Sequence, residues 1–139
     1  MKYLLDTCII SELIKPEPNK CVSEWITSSD EIKLLTTVFT LGEIRKGINR
    51  LAKGKRQEQL NDWFQEIIYW SEGRILSFDE ECANNWGVLL AQSEAKGRLL
   101  PMVDSMIAAI AITHQCCIVT RNVGDFSGLG ISVINPWEL

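Results

Sequence analysis

Four carboxylates in this chain stand where a short hydrophobic run gives way to something helical. Asp6 follows "KYLL" and opens "TCIISEL". Glu43 lies early in "TLGEIRKGI", one step off the apolar row of Leu41, Ile44 and Ile48. Asp104 begins "DSMIAAIAITH", and Asp125 comes just past "CCIVT" in "RNVGDF", where Thr120 and Asn122 add further oxygen-bearing side chains. Taken singly, three have ordinary readings: a helix cap for Asp6, a dipole-favoured acid for Glu43 and turn chemistry for residues 120–125. Asp104 does not, because its segment is apolar nearly all round, and a carboxylate in a buried helix survives when it is paired or bound to a metal.

Brought together, four carboxylates repel and raise one another's pKa, and a divalent cation resolves the conflict. Oxygen-only ligation selects Mg2+ or Mn2+ over zinc. A carboxylate cup holding such an ion suits phosphodiester hydrolysis, since the metal activates water, neutralises the attacked phosphate and supports the leaving oxygen without any histidine.

Other catalytic schemes fit poorly. A Ser-His-Asp hydrolase would depend on His114, the single histidine, at the end of the buried helix, and there is no G-x-S-x-G elbow. Neither a Walker A sequence nor G-x-G-x-x-G is present. His114 with Cys116 and Cys117 lacks the second cysteine cluster of a zinc site. An aspartyl-phosphate phosphatase would carry another acid two positions after Asp6, where Cys8 stands, and it remains a distant alternative.

Strand-like segments at residues 2–6, 32–37, 74–78, 116–120 and 131–135 must position these acids. Helical periodicity lies between most of them: Leu41, Ile44, Ile48 and Leu51; Leu60, Trp63, Phe64, Ile67 and Ile68; Cys82, Trp86, Leu89 and Leu90. Asp79 is an N-cap and Gly97 a helix stop. Short strands apolar on both faces and alternating with helices predict an α/β fold, a three-layer sandwich with a five-stranded parallel sheet between helices. Ligands then gather at the carboxyl ends of the strands, where strand order reverses.

With 139 residues and 46% hydrophobic content the chain is read as one domain, 1–139, able to fill a single core. It shows no signal peptide and no membrane-span-length apolar run, and its five cysteines without a C-x-x-C pair read as core thiols in a reducing, cytoplasmic setting. Net charge is −4, yet residues 45–56 (RKGINRLAKGKR) hold six Lys/Arg and no acid. Phosphate contacts and a solvated helix end are level as readings of that segment.

The stretches "LLDTCIISEL", "TLGEIRKGI", "DSMIAAIA" and "IVTRNVGDF", in that order, resemble the signature of PIN-domain ribonucleases of the VapC toxin family. "GRILSFDEECANNWG" and "INPWE" resemble its FitB-like branch. The resemblance implies a homodimer with Mg2+-dependent endonuclease activity on RNA. It makes Asp6 and Asp104 the central metal ligands, Glu43 a ligand or water-orienting base, and Asp125 a second-metal or water-mediated ligand, with Thr120 and Asn122 supporting the loop by hydrogen bonds. It implies a cognate antitoxin whose tail wraps the toxin along the early helices, with Trp25 and Ile26 as candidate anchors for which core packing is the favoured use, and which alone contacts operator DNA. RNA phosphates would meet Arg45, Lys46 and Arg50, with Lys53, Lys55 and Arg56 behind them. The chain departs from the pattern at Cys8, where many relatives carry Asn. That departure motivates a competing reading, a weak nuclease acting mainly as a binding and regulatory partner of an antitoxin.

Overall fold

A computed structural model describes residues 1–139. Five strands form one all-parallel sheet: β1 (Lys2–Leu5), β2 (Leu34–Thr37), β3 (Ile75–Leu76), β4 (Cys116–Val119) and β5 (Val133–Ile134), in the order β3-β2-β1-β4-β5. Seven helices connect and cover them: α1 (Thr7–Leu13), α2 (Lys20–Ser28), α3 (Val38–Asn49), α4 (Lys55–Trp70), α5 (Glu80–Ala95), α6 (Met102–His114) and α7 (Val123–Phe126).

Alternation along the central strands builds two cores. Leu4, Leu35, Cys116 and Ile118 join Cys82 and Leu89 of α5, Ile107, Ala108, Ile110 and Ala111 of α6, and Phe126 of α7. Their neighbours Leu5, Leu34 and Val119 point the other way, onto Ile9, Ile10, Val22, Ile44, Ile48 and Phe64 of α1 to α4. Successive side chains on a strand face opposite sides, so a strand apolar at every position must be covered twice. The expected three-layer sandwich follows from that. No helix is long and apolar enough to cross a membrane.

The helix starts are written in the sequence. Asp6, Asn19, Thr37 and Asp79 each accept a backbone N–H of the first turn of α1, α2, α3 and α5 with a side-chain oxygen. Gly97, just past α5, has φ +74°, a left-handed conformation that glycine adopts freely. The edge strands are shorter than the apolar runs that encode them. Beyond Ile75–Leu76 and Val133–Ile134 an edge has one neighbour only, so contacts such as Thr36 N–H to Arg74 O persist as single hydrogen bonds outside the ladder. Leu51 departs from expectation too: α3 ends at Asn49, which leaves Leu51 in the following turn and exposed. Trp25 packs edge-on against Tyr3, with ring centroids 5.1 Å apart, and with Ile26 supports the second core rather than standing free.

The chain lays β1, β2 and β3 side by side, then returns to the opposite side of β1 for β4 and β5. The reversal therefore falls between β1 and β4, and the residues that leave those two strands are Asp6 and Thr120.

Candidate active site at the strand-order reversal

Asp6 is 8% exposed and uses both carboxylate oxygens. Oδ1 accepts the Thr7 backbone N–H at 2.8 Å, which makes Asp6 the cap of α1, while Oδ2 accepts the Thr120 hydroxyl at 2.9 Å across the cleft. Capping fixes the side chain, and the second bond aims it. Thr120 is fully buried, and its oxygen also accepts the Asn122 backbone N–H at 3.0 Å.

Cys8 lies beside this pair, its sulfur 3.5 Å from Thr120 Oγ1 and accepting the Arg121 N–H at 3.4 Å. Because the Thr120 proton goes to Asp6, the Cys8 thiol is the donor in the sulfur contact. Burial raises the Cys8 pKa and keeps that proton in place. A sulfur thus joins the relay from Thr120 to Asp6.

Glu43 reaches the same rim from α3, where it accepts the Thr7 hydroxyl at 2.8 Å. Thr7 Oγ1 lies 3.3 Å from Thr40 Oγ1, which in turn is 3.5 Å from Thr37 Oγ1. Thr7 and Thr40 were not singled out from the sequence; the hydroxyl-rich end of β2 and the threonine directly after Asp6 were the available signals.

Asp104 sits in the first turn of α6. Two bonds lock that helix onto α5, Trp86 Nε1–H to Ser105 Oγ and Asn85 Nδ2–H to Thr113 Oγ1, both 2.9 Å. Asp125 lies exposed on the single turn of α7, held from behind by the buried Phe126.

Two expectations change. Arg45 spends its guanidinium on helix packing: it stacks 4.7 Å from the Phe64 ring centroid and donates to Asn49 Oδ1 and Asn61 Oδ1 at 3.2 and 2.7 Å. Lys46 and Arg50 remain exposed. The Asn122 side chain makes no capping bond; its support comes from the backbone, whose N–H reaches Thr120 and whose carbonyl accepts Asp125 N–H at 3.1 Å.

The electrostatics tie the acids together. Burial, then the charges of Asp125, Asp6 and Glu43, push Asp104 up to about 6. Asp6 is raised chiefly by burial, against the bonds from Thr120 and Thr7, with Glu43 and Asp125 adding to the rise. No three Asp, Glu, His or Cys side chains close around a point as a ready-made cage. An all-oxygen donor set in which Asp6 and Asp104 are both raised fits a hard dication.

A pH test follows. A ligand must be deprotonated, so protons compete with metal wherever Asp104 is protonated in the metal-free protein. At subsaturating Mn2+, affinity should be flat above pH 7 and about tenfold weaker at pH 5, near one decade per pH unit below the Asp104 value of about 6. Titration calorimetry across pH 5 to 8 checks this, and an affinity indifferent to pH in that window would remove Asp104 from the ligand set.

The comparisons agree with this fold. The profile of the PIN domain matches residues 3–130. "Plasmid stability protein StbB" of Pseudomonas syringae pv. tomato is 39% identical over 97% of this chain and 98% of its own length. "VapC ribonuclease Y4jK" of Sinorhizobium fredii and "Toxin FitB" of Neisseria gonorrhoeae are each 34% identical over 97% of this chain, covering 97% and 98% of their own lengths. Among solved structures, FitAB bound to an IR36 DNA fragment superposes with a TM-score of 0.93 at 33% identity, covering 99% of this chain and 96% of that one. With its fold, motif order and near-complete coverage in agreement, this chain belongs to the PIN domain family and sits with its VapC- and FitB-like members.

Proposed function

We propose that this protein is the toxin of a type II toxin-antitoxin pair, a Mg2+-dependent endoribonuclease that hydrolyses RNA phosphodiester bonds at the site formed by Asp6, Glu43, Asp104 and Asp125, with Mn2+ able to substitute. The observation that carries it is Asp104, pushed up to about 6 by burial and then by the charges of Asp125, Asp6 and Glu43, beside an Asp6 raised in the same direction at the strand-order reversal of a PIN fold. The similarity to a VapC ribonuclease and to the toxin FitB supports RNA as substrate and toxin as role.

Held by these residues, Mg2+ would supply a water of lowered pKa and positive charge for the attacked phosphate. The chain does the rest. Asp6 and Asp104 hold the ion; Thr120 keeps Asp6 oriented and, by hydrogen bonding its charged form, favours the carboxylate. Glu43, steadied by Thr7, orients the attacking water or completes the ligand set. Asp125 serves a second ion or acts through water. The relay from Cys8 through Thr120 to Asp6 leaves the ligand set whole, so the nuclease reading is preferred to that of a weakened binding module.

Lys46 and Arg50, exposed toward the end of the helix that carries Glu43, contact RNA phosphates. Removing both should weaken RNA binding uniformly across sequences and flatten the salt dependence by about 0.7 per cation, read as the slope of log affinity against log salt. An unchanged slope would return them to the solvated helix end.

The partner is an antitoxin, supported by the DNA-bound FitAB assembly, and operator DNA is reached only through it. A groove of about 210 Å³ lined by Thr7, Ser11, Ile14, Glu43, Gly47, Arg56, Leu60 and Trp63, among others, runs from the site between α1, α3 and α4 and offers an antitoxin tail apolar walls with Glu43 at one end. The active unit is a homodimer working in the cytoplasm, where its five free thiols stay reduced.

The test is RNA cleavage by purified, antitoxin-free protein. Cleavage with Mg2+ or Mn2+ that stops on adding EDTA is expected. Cleavage that survives EDTA, or none with either ion, would overturn the assignment.

A further inference from the structure

Asp125 sits on a helix of four residues, too short to hold itself against solvent, since helix formation needs several turns before propagation outweighs nucleation. Its loop is held from outside. Arg98, half-buried between α5 and α6, donates Nη2–H to the carbonyls of Gly124 and Asp125 at 3.1 and 3.2 Å and Nη1–H to the carbonyl of Ser127. One guanidinium thereby satisfies three acceptors in the four-residue stretch Gly124–Ser127, which contains Asp125.

The side chain is itself aimed by the end of α5. Gly97 takes φ +74° and gives its N–H to Glu94 O at 2.9 Å, and Arg98 N–H returns to Ser93 O at 2.8 Å, so the helix stop fixes where the guanidinium points. On the far side stands Gly128, with φ +76°, where an added Cβ would lie 3.5 Å from Arg98 Nη1, in ordinary contact. No carboxylate forms an ion pair with Arg98, and its side-chain hydrogen bonds all go to these carbonyls.

We infer that Arg98 is a positioning residue that holds the Gly124–Ser127 backbone so that the Asp125 carboxylate faces the metal site. This rests on the metal reading given above. A planar fork makes several bonds in fixed directions, which the single ammonium of lysine does not reproduce.

The experiment is Mn2+ titration by calorimetry on RNA-free protein, with thermal unfolding in parallel, for wild type, Arg98→Ala, Arg98→Lys, Asp125→Ala and Arg98→Ala/Asp125→Ala. Losing such a supporting contact costs metal sites 10–100-fold in affinity. Arg98→Ala should weaken Mn2+ binding by that factor, Arg98→Lys by less, and in the Asp125→Ala background Arg98→Ala should add nothing. Unaltered Mn2+ affinity in folded Arg98→Ala, whatever its melting temperature, overturns the inference, as does additivity of the two losses. Should Arg98→Ala fail to fold, Arg98→Lys decides: wild-type affinity there is fatal. Wild-type protein that takes up no Mn2+ overturns the metal reading and this inference together, whereas binding by wild type with an indifferent Arg98 variant removes only the latter.

Discussion

Asp104→Asn should cut RNA cleavage by about 10³-fold and at the same time make the metal-free protein more stable at pH 7. The first effect follows if Asp104 is a central ligand: a bound metal contributes several kcal/mol to transition-state charge stabilisation, and each 1.36 kcal/mol is a factor of ten in rate. The second follows from the sign of its pKa shift. Folding raises the Asp104 pKa to about 6, above the unfolded value near 4, so the folded form holds the proton more tightly. Stability from this group is therefore greatest at low pH and is lost as pH rises from about 4 through about 6. An amide cannot ionise, and the variant should recover about 1–2 kcal/mol at pH 7 after allowance for solvent screening of a partly exposed group. Chemical denaturation without metal, beside a cleavage assay, measures both. Higher stability with lost activity marks a functional site held at the expense of the fold; a variant that cleaves normally would dismiss Asp104 from the chemistry.

Thr120→Val should cost 1–3 kcal/mol of stability and weaken Mn2+ binding by about 10–100-fold. Valine matches the shape but removes the oxygen, which leaves Asp6 Oδ2, the Asn122 N–H and the Cys8 thiol without a shared partner in a fully buried position. The Asp6 pKa, already raised by burial, should climb further once the hydrogen bond that lowers it is gone, so protons compete better with metal. Thr120→Ser keeps the hydroxyl and should retain most of the affinity. Urea denaturation with Mn2+ calorimetry separates the two effects, and wild-type affinity in folded Thr120→Val would reduce Thr120 to a core residue.

Thr120 also shows where local reading stops. From the sequence, Asp6 had two competing interpretations, helix cap and site residue. The structure joins them, because one oxygen caps α1 and the other meets Thr120, 114 positions away. Arg45 fails in the opposite direction. It belongs to a cationic run, but Phe64 and Asn61 on α4 claim its guanidinium, and nothing within residues 45–56 records that neighbour. Arg98 was passed over because its three acceptors are backbone carbonyls, which carry no side-chain signature.

By itself the sequence determined the α/β layering, the caps of α1 and α5 at Asp6 and Asp79, and the order of the acidic motifs along the chain. Those features rest on interactions within a few residues, such as alternation along a strand, an oxygen reaching the next turn and a glycine at a helix end. Which acids share a charge field, which cations are free and what steadies Asp125 were decided only in three dimensions. Such contacts link residues distant along the chain, and their partners are set by packing rather than by spacing.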